Sequence, residues 1–255
     1  MRIALCQFDI AWLDRPKNYA TVRHLVESRK PAEGSLLVLP EMFSTGFSLD
    51  TLETREWPGG DTENFLSDLA QDFGLYVLAG LVRAASAGAA RNEATLVGPR
   101  GRELGRYGKL HLFSAAGEDR AHSPGDGVET FPVENTIVAP FVCYDLRFPE
   151  IFRMAVQKRA EVLVVIANWP TVRVDHWVTL LRARAIENLA YVIGVNRIGR
   201  DPEREYPGRS LVVDPRGEVV MDAGDRAGVF EVELDLAGLR AWREEFPALR
   251  DARYF

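Results

Sequence analysis

Thr136-Ile137-Val138-Ala139-Pro140-Phe141-Val142-Cys143-Tyr144-Asp145-Leu146-Arg147-Phe148-Pro149-Glu150 decides how this chain is read. The apolar run from Thr136 to Val142 predicts a buried strand. It delivers a single cysteine to the strand's end. A polar turn follows, and Pro149 with Glu150 opens a helix. A thiol at such a turn lies near backbone N–H groups and a positive helix end, both of which favour a thiolate. Taken alone, Cys143 also reads as an inert buried hydrophobe, the commonest state of a free cysteine. The rest of the chain has to decide between the two.

The chain has 255 residues, 47% of them hydrophobic and 27% charged, with a formal net charge of −6. Such a chain buries a substantial core, and α/β domains of this size occur as single units. No domain boundary or low-complexity linker is visible, so residues 1–255 are expected to form a single domain. No Lys/Arg run is long enough to mark a nucleic-acid or anionic-membrane surface. Gln7, Asp9 and Asp14 interrupt the N-terminal stretch, which lacks the apolar core of a signal peptide. No segment has the length of a membrane-spanning helix. Two cysteines, Cys6 and Cys143, make neither a disulfide framework nor a metal cluster. The expectation is a cytoplasmic protein in a reducing setting, with no metal and no cofactor.

Outward from the opening stretch, strands and helices alternate. Arg2 to Phe8 reads as a strand, Arg15 to Lys30 as a helix, and Ser35 to Leu39 as a short strand stopped by Pro40. Asp61 is placed as the N-cap of a helix through Phe73, followed by a strand from Leu75 to Val82 and a loop from Ala84 to Ala90. Asn92 to Val97 and Arg102 to Tyr107 flank Gly98-Pro99-Arg100-Gly101, a hairpin. Lys109 to Gly127 reads as a long irregular loop, the kind that more often carries function. Beyond Cys143 come a helix (Glu150 to Lys158), a strand (Glu161 to Ala167), a helix (Asp175 to Leu189) and a strand (Tyr191 to Asn196). A second hairpin is centred on Asp214-Pro215-Arg216-Gly217, and Gly228 to Leu234 and Leu236 to Phe246 give a last strand and helix. The hairpins among the βαβ units predict mixed sheets. Leu36 to Glu41 recurs in character as Leu163 to Asn168, which suggests two related halves.

Three residues stand at strand mouths or beside them. Glu41 follows Leu39-Pro40, Lys109 lies among apolar and aromatic neighbours, and Cys143 ends its strand. Separately, each has an ordinary reading as a surface carboxylate, a snorkelling lysine or a core thiol. Together they form a chemical set. A glutamate accepts the thiol proton, the thiolate attacks a carbonyl or nitrile carbon, and a lysine holds the developing oxyanion. The four histidines offer no paired zinc spacing. His111 and His176 fall near these motifs and read as supporting side chains, and no Gly-rich phosphate loop is present.

Pro40-Glu41, the Lys109 loop and Val142 to Pro149 resemble, in order and spacing, the three signatures of the nitrilase (carbon–nitrogen hydrolase) superfamily. Finer stretches resemble its omega-amidase branch. These are Leu39 to Phe47, Lys109 to Phe113, Ala167-Asn168-Trp169-Pro170, His176-Trp177 and Arg184 to Asn188. The resemblance implies a four-layer α–β–β–α sandwich of two mixed sheets. It implies Glu41 as base, Lys109 as oxyanion partner and Cys143 as nucleophile, with the backbone N–H of Tyr144 as second oxyanion donor. It implies a second glutamate in the lysine loop, which Glu118 matches, with Asp119 adjacent. It also implies hydrolysis of a small omega-monoamide of a dicarboxylic acid, such as 2-oxoglutaramate, through a thioester, and a homodimer or higher homo-oligomer; the alternatives are another amidase, a carbamoyl hydrolase or a nitrilase of the same superfamily, or a non-catalytic ligand-binding member.

A substrate with a far carboxylate needs a cation. Arg147 and Arg173 are the candidates, because a guanidinium grips a carboxylate bidentately. Phe43, Phe113 and Trp169 are expected to wall the pocket. Leu239 to Phe255, with Trp242, Phe246, Tyr254 and Phe255, either packs across a subunit interface or folds back on its own domain. Cys6 reads as core.

Overall fold

The computed structural model of the chain describes residues 1–85 and 89–253. Two sheets lie face to face. The first runs, in spatial order, Gly228–Glu233, Arg2–Gln7, Leu36–Val38, Tyr76–Ala84, Ala90–Val97, Glu103–Gly108, with the short Arg55–Glu56 beside Tyr76–Ala84. The second runs Val219–Asp222, Leu211–Val213, Tyr191–Asn196, Val162–Ala167, Thr136–Val142, Phe131–Val133. Each has three parallel strands at its centre and antiparallel strands outside them. Burial on both faces explains why the central strands read as continuous apolar runs.

The period of two along a strand sorts the layers. Ile3 and Leu5 point into a core shared with Val138 and Val164 of the second sheet. Ala4 and Cys6 point the other way, towards Val22 and Val26 of helix Arg15–Arg29 and Leu66 and Leu69 of helix Asp61–Phe73. Helices Pro149–Gln157 and Val174–Asn188 cover the second sheet through Ile151, Phe152, Trp177 and Leu181. The result is the expected four-layer α–β–β–α order. The echo between Leu36–Glu41 and Leu163–Asn168 falls on the middle strand of each parallel triplet. The two Pro-Arg-Gly turns close hairpins at matching edges. No described helix is long and apolar enough to cross a membrane.

Differences from the sequence reading lie in short or irregular pieces. The stretch read as loop from Lys109 to Gly127 contains a 3-10 turn, Ser114–Ala116, and a one-turn helix, Glu118–Ala121. Strands of two or three residues (Arg55–Glu56, Phe131–Val133, Ile198–Arg200, Glu205–Pro207) had no periodicity to announce them. Ala84 and Ala90, read as loop, form the last rung between two strands, and residues 86–88 of that loop lie outside the described residues. The last helix, Leu236–Glu245, folds back on its own chain. Leu236 and Leu239 enter the core, and Arg243 donates to the carbonyls of Leu189 and Ala160 at 2.8 and 3.0 Å. Tyr254 and Phe255 lie outside the described residues.

Candidate active site

Two left-handed turns shape the site. Leu36–Val38 runs into Leu39-Pro40-Glu41, and Met42 then takes φ +46°. Thr136–Val142 ends in Cys143 at φ +49°, the first residue of the 3-10 turn Cys143–Arg147. A non-glycine residue in this region costs roughly 1–3 kcal/mol and persists only where its surroundings enforce it. Gly80 makes room for the first turn, because a Cβ there would sit 2.5 Å from the Glu41 Cα.

Glu41, Lys109 and Glu118 are fully enclosed, with side-chain exposure of 0% in each. The Lys109 ammonium donates to Glu41 Oε1 at 3.0 Å and to Glu118 Oε1 and Oε2 at 3.0 and 2.8 Å. Asn92 Nδ2 donates to both carboxylates, at 2.8 Å to Glu41 Oε1 and 3.0 Å to Glu118 Oε1. The Asn168 backbone N–H donates to Glu41 Oε2 at 2.9 Å, and its amide donates to the Glu41 carbonyl at 2.7 Å. The Phe113 N–H donates to Glu118 Oε2 at 2.7 Å. The Cys143 thiol lies close enough to the Glu41 carboxylate for that charge to act on it. Every ionised group in this dry cluster is thus paired, as buried charge requires.

The electrostatics follow from that pairing. Burial opposes the Lys109 charge, but Glu41 and Glu118 outweigh it and raise its pKa. Burial also opposes ionisation of Glu118, yet Lys109, Asn92 and the Phe113 N–H hold its carboxyl below the usual range. For Cys143 the balance goes the other way. Burial and the Glu41 carboxylate push the thiol well up, with Lys109 pulling against them. The backbone dipoles that suggested a thiolate are therefore outweighed by burial and the neighbouring carboxylate.

Cys143 and Lys109 open onto one small pocket. Phe47, Phe113, Tyr144, Arg147, Asn168, Trp169, Pro170, Arg173 and Arg204 complete its wall. Of the predicted lining residues, Phe43 is absent. The left-handed Met42 turns it towards the helices, where it is fully buried, 6.2 Å from Tyr19 and 6.1 Å from Phe65, ring centre to ring centre. Phe47, four residues on, takes the pocket position. Arg147 lies over the Trp169 ring at 5.0 Å and has the His176 ring nitrogen Nδ1 3.2 Å from its guanidinium. Arg173 lies over Phe113 at 5.4 Å, and its carbonyl accepts the Trp169 indole N–H at 2.7 Å. Burial and the neighbouring charges of Arg147 and Arg204 lower the Arg173 pKa. Neither Arg147 nor Arg173 has a carboxylate partner among the described residues.

Sequence reasoning did not assign Asn92, Phe47 or Arg204 to the site. Nothing local singles Asn92 out, because its strand also carries Arg91, Glu93 and Thr95. Arg204 belongs to the turn between two three-residue strands that had no signal. Among the described residues no cluster of His, Cys, Asp and Glu could hold a metal ion.

The carbon–nitrogen hydrolase family model matches residues 2–244. The chain is 33% identical over 252 residues to the 2-oxoglutaramate amidase of Bacillus subtilis, covering 98% of this chain and 97% of that protein. It is 36% identical to the omega-amidase YafV of Escherichia coli, covering 100% of this chain and 98% of that one. The crystal structure of XC1258 from Xanthomonas campestris, with an arsenic adduct in its active site, superposes with a TM-score of 0.93. That pair is 31% identical and covers 100% and 98% of the two chains. The chain belongs to the carbon–nitrogen hydrolase family and is an enzyme of its omega-amidase-like branch.

Proposed function

We propose that the protein hydrolyses the amide of a small dicarboxylic omega-monoamide, such as 2-oxoglutaramate, by cysteine catalysis, releasing ammonia and the diacid. The observation that carries this reading is one pocket lined by Cys143 and Lys109, with Glu41 behind them, and by two guanidiniums, Arg147 and Arg173, without carboxylate partners among the described residues. The cluster supplies the chemistry, and the guanidiniums fit the far carboxylate.

Glu41 accepts the thiol proton as Cys143 Sγ attacks the amide carbon. Because the resting thiol pKa is high, proton transfer and attack proceed together. The carbonyl oxygen becomes an oxyanion held by the Lys109 ammonium and the Tyr144 N–H. Losing one such donor costs about 3–4 kcal/mol of barrier. Glu41 returns the proton to the leaving nitrogen, the C–N bond breaks and ammonia departs, leaving a thioester. Glu41 then takes a proton from water as its oxygen attacks the thioester carbon. The acid forms and the proton returns to sulfur. Glu118 keeps Lys109 charged and in place. In a glutamate-to-glutamine mutant of the related amidase from Nesterenkonia, acrylamide is found added to the active-site cysteine, which supports a reactive thiol at this position.

Of the two guanidiniums, Arg173 is the better carboxylate partner, since Arg147 is engaged by Trp169 and His176. Ammonia release from 2-oxoglutaramate, from a neutral amide of equal length, from a nitrile and from an N-carbamoyl amino acid tests the substrate reading. The expected preference is for the charged amide. Turnover of the nitrile or carbamoyl compound alone overturns it. We also infer a cytoplasmic homodimer, on the strength of two free thiols and of exposed Met154, Ile186 and Phe246. Light scattering reads the mass.

A further inference from the structure

Asp145, two residues after Cys143, is a carboxylate with no exposed surface and no lysine or arginine partner among the described residues. Both its oxygens are in use. Oδ2 accepts the Val142 backbone N–H at 3.0 Å and the Tyr107 hydroxyl at 2.8 Å. Oδ1 accepts the His111 backbone N–H at 2.9 Å and lies 2.9 Å from His111 Nδ1. Val142 precedes the nucleophile. Tyr107 and His111 stand two residues before and two residues after Lys109. The His111 ring also stacks on Phe148 at 3.7 Å, so the lysine segment and the nucleophile turn are fastened twice. The other end of the lysine loop is held separately, by the Phe113 N–H on Glu118.

We propose that Asp145 is a positioning residue that fixes the Lys109 ammonium relative to Cys143 and the Tyr144 N–H, so that the oxyanion site exists only while this bracket is closed. The inference rests on the cysteine mechanism above. Its physical basis is that donors arrive at both oxygens. An asparagine offers one oxygen and one N–H₂ group, so in either orientation an N–H faces another donor. Relaxing that conflict shifts one flank of Lys109 or the strained Cys143 turn. A displacement of about 1 Å from catalytic geometry costs on the order of a hundredfold in rate.

The test uses the full-length enzyme with Asp145→Asn and Tyr107→Phe. It has two probes of the thiol, iodoacetamide, which needs no oxyanion site, and the aldehyde analogue of the best amide substrate, whose thiohemiacetal does. The expected result for Asp145→Asn is a kcat per titratable thiol about a hundredfold lower, with KM within threefold. Aldehyde affinity falls in parallel, and the iodoacetamide rate stays within threefold. Tyr107→Phe removes one neutral hydrogen bond and is expected to lower kcat and aldehyde affinity several-fold. If a merely structural role were the whole account, activity would fall only with the folded, titratable fraction. An unchanged kcat per thiol and unchanged aldehyde affinity overturn the inference. If Asp145→Asn does not fold, Tyr107→Phe decides by the same two readings. Failure of the cysteine mechanism is distinguishable, because iodoacetamide would then leave the wild-type enzyme active.

Discussion

The two halves of the molecule place polar residues at matching points and use them differently. Gln7 ends one outer strand of the first sheet's triplet and Cys143 follows an outer strand of the second, while Glu41 and Asn168 follow the two middle strands. Gln7 is closed. Its amide donates to the carbonyls of Gly224 and Arg226 at 2.9 and 2.8 Å, and its oxygen accepts from the Ser210 N–H and hydroxyl at 3.0 and 2.7 Å. Cys143 is open. It faces a cavity, with the Glu41 carboxylate acting on its thiol. Glu41 and Asn168 meet each other, the charged member held by the neutral one. A strand end thus becomes structural where partners within the chain satisfy every polar atom. It becomes chemical where one valence is left for a ligand.

The sharpest way to break this comparison is Cys143→Ala, which is expected to abolish ammonia release, a fall of 10⁴-fold or more. The matching Gln7→Ala leaves kcat unchanged if its role is structural. Next in size is Glu41→Gln, which keeps the shape but removes the base. A kcat loss of about 10³-fold is expected, within the range for general-base catalysis, with the thiol still present to alkylating reagents. A variant retaining a tenth of wild-type activity would show that Glu41, like its counterpart Asn168, only positions.

Glu118→Gln has a smaller effect, about 10- to 100-fold in kcat, since Lys109 keeps Glu41 as a partner. It also has a signature in stability. The folded Glu118 pKa lies below its unfolded value, so its contribution is fully present above the ordinary carboxylate range and is lost as pH falls through the folded value. Thermal melts should show the gap between wild type and variant narrowing as the medium is acidified below about pH 4. The Lys109 pKa is raised, so its contribution is full below the ordinary lysine pKa and declines only above about pH 10. The smallest effect on activity is that of Gln7→Ala itself. It orphans the Ser210 backbone N–H and is expected to lower stability by about 1–3 kcal/mol in a denaturant titration, with kcat per folded molecule unchanged.

How far the sequence carried can be traced residue by residue. The triplets were legible because strands buried on both faces are written as unbroken apolar runs, and the echo of Leu36–Glu41 in Leu163–Asn168 already pointed to two halves. Glu41, Lys109, Glu118 and Cys143 were legible through motif order and spacing, and the structure brings the four together. Phe43 was misread because a neighbour of Glu41 in sequence was taken as its neighbour in space. One left-handed residue, Met42, reverses the side-chain direction and delivers Phe47 instead.

By itself, the sequence determined the alternation of elements, the candidate site residues and the family, all of which depend on local pattern or ordered motifs. Only the tertiary structure decided which amides hold the carboxylates, which arginine is already engaged, and that burial and Glu41 push the Cys143 thiol pKa up. Those outcomes turn on desolvation and on contacts between residues far apart in the chain. Asn168 binds Glu41 across 127 positions, and no spacing rule encodes such a pair.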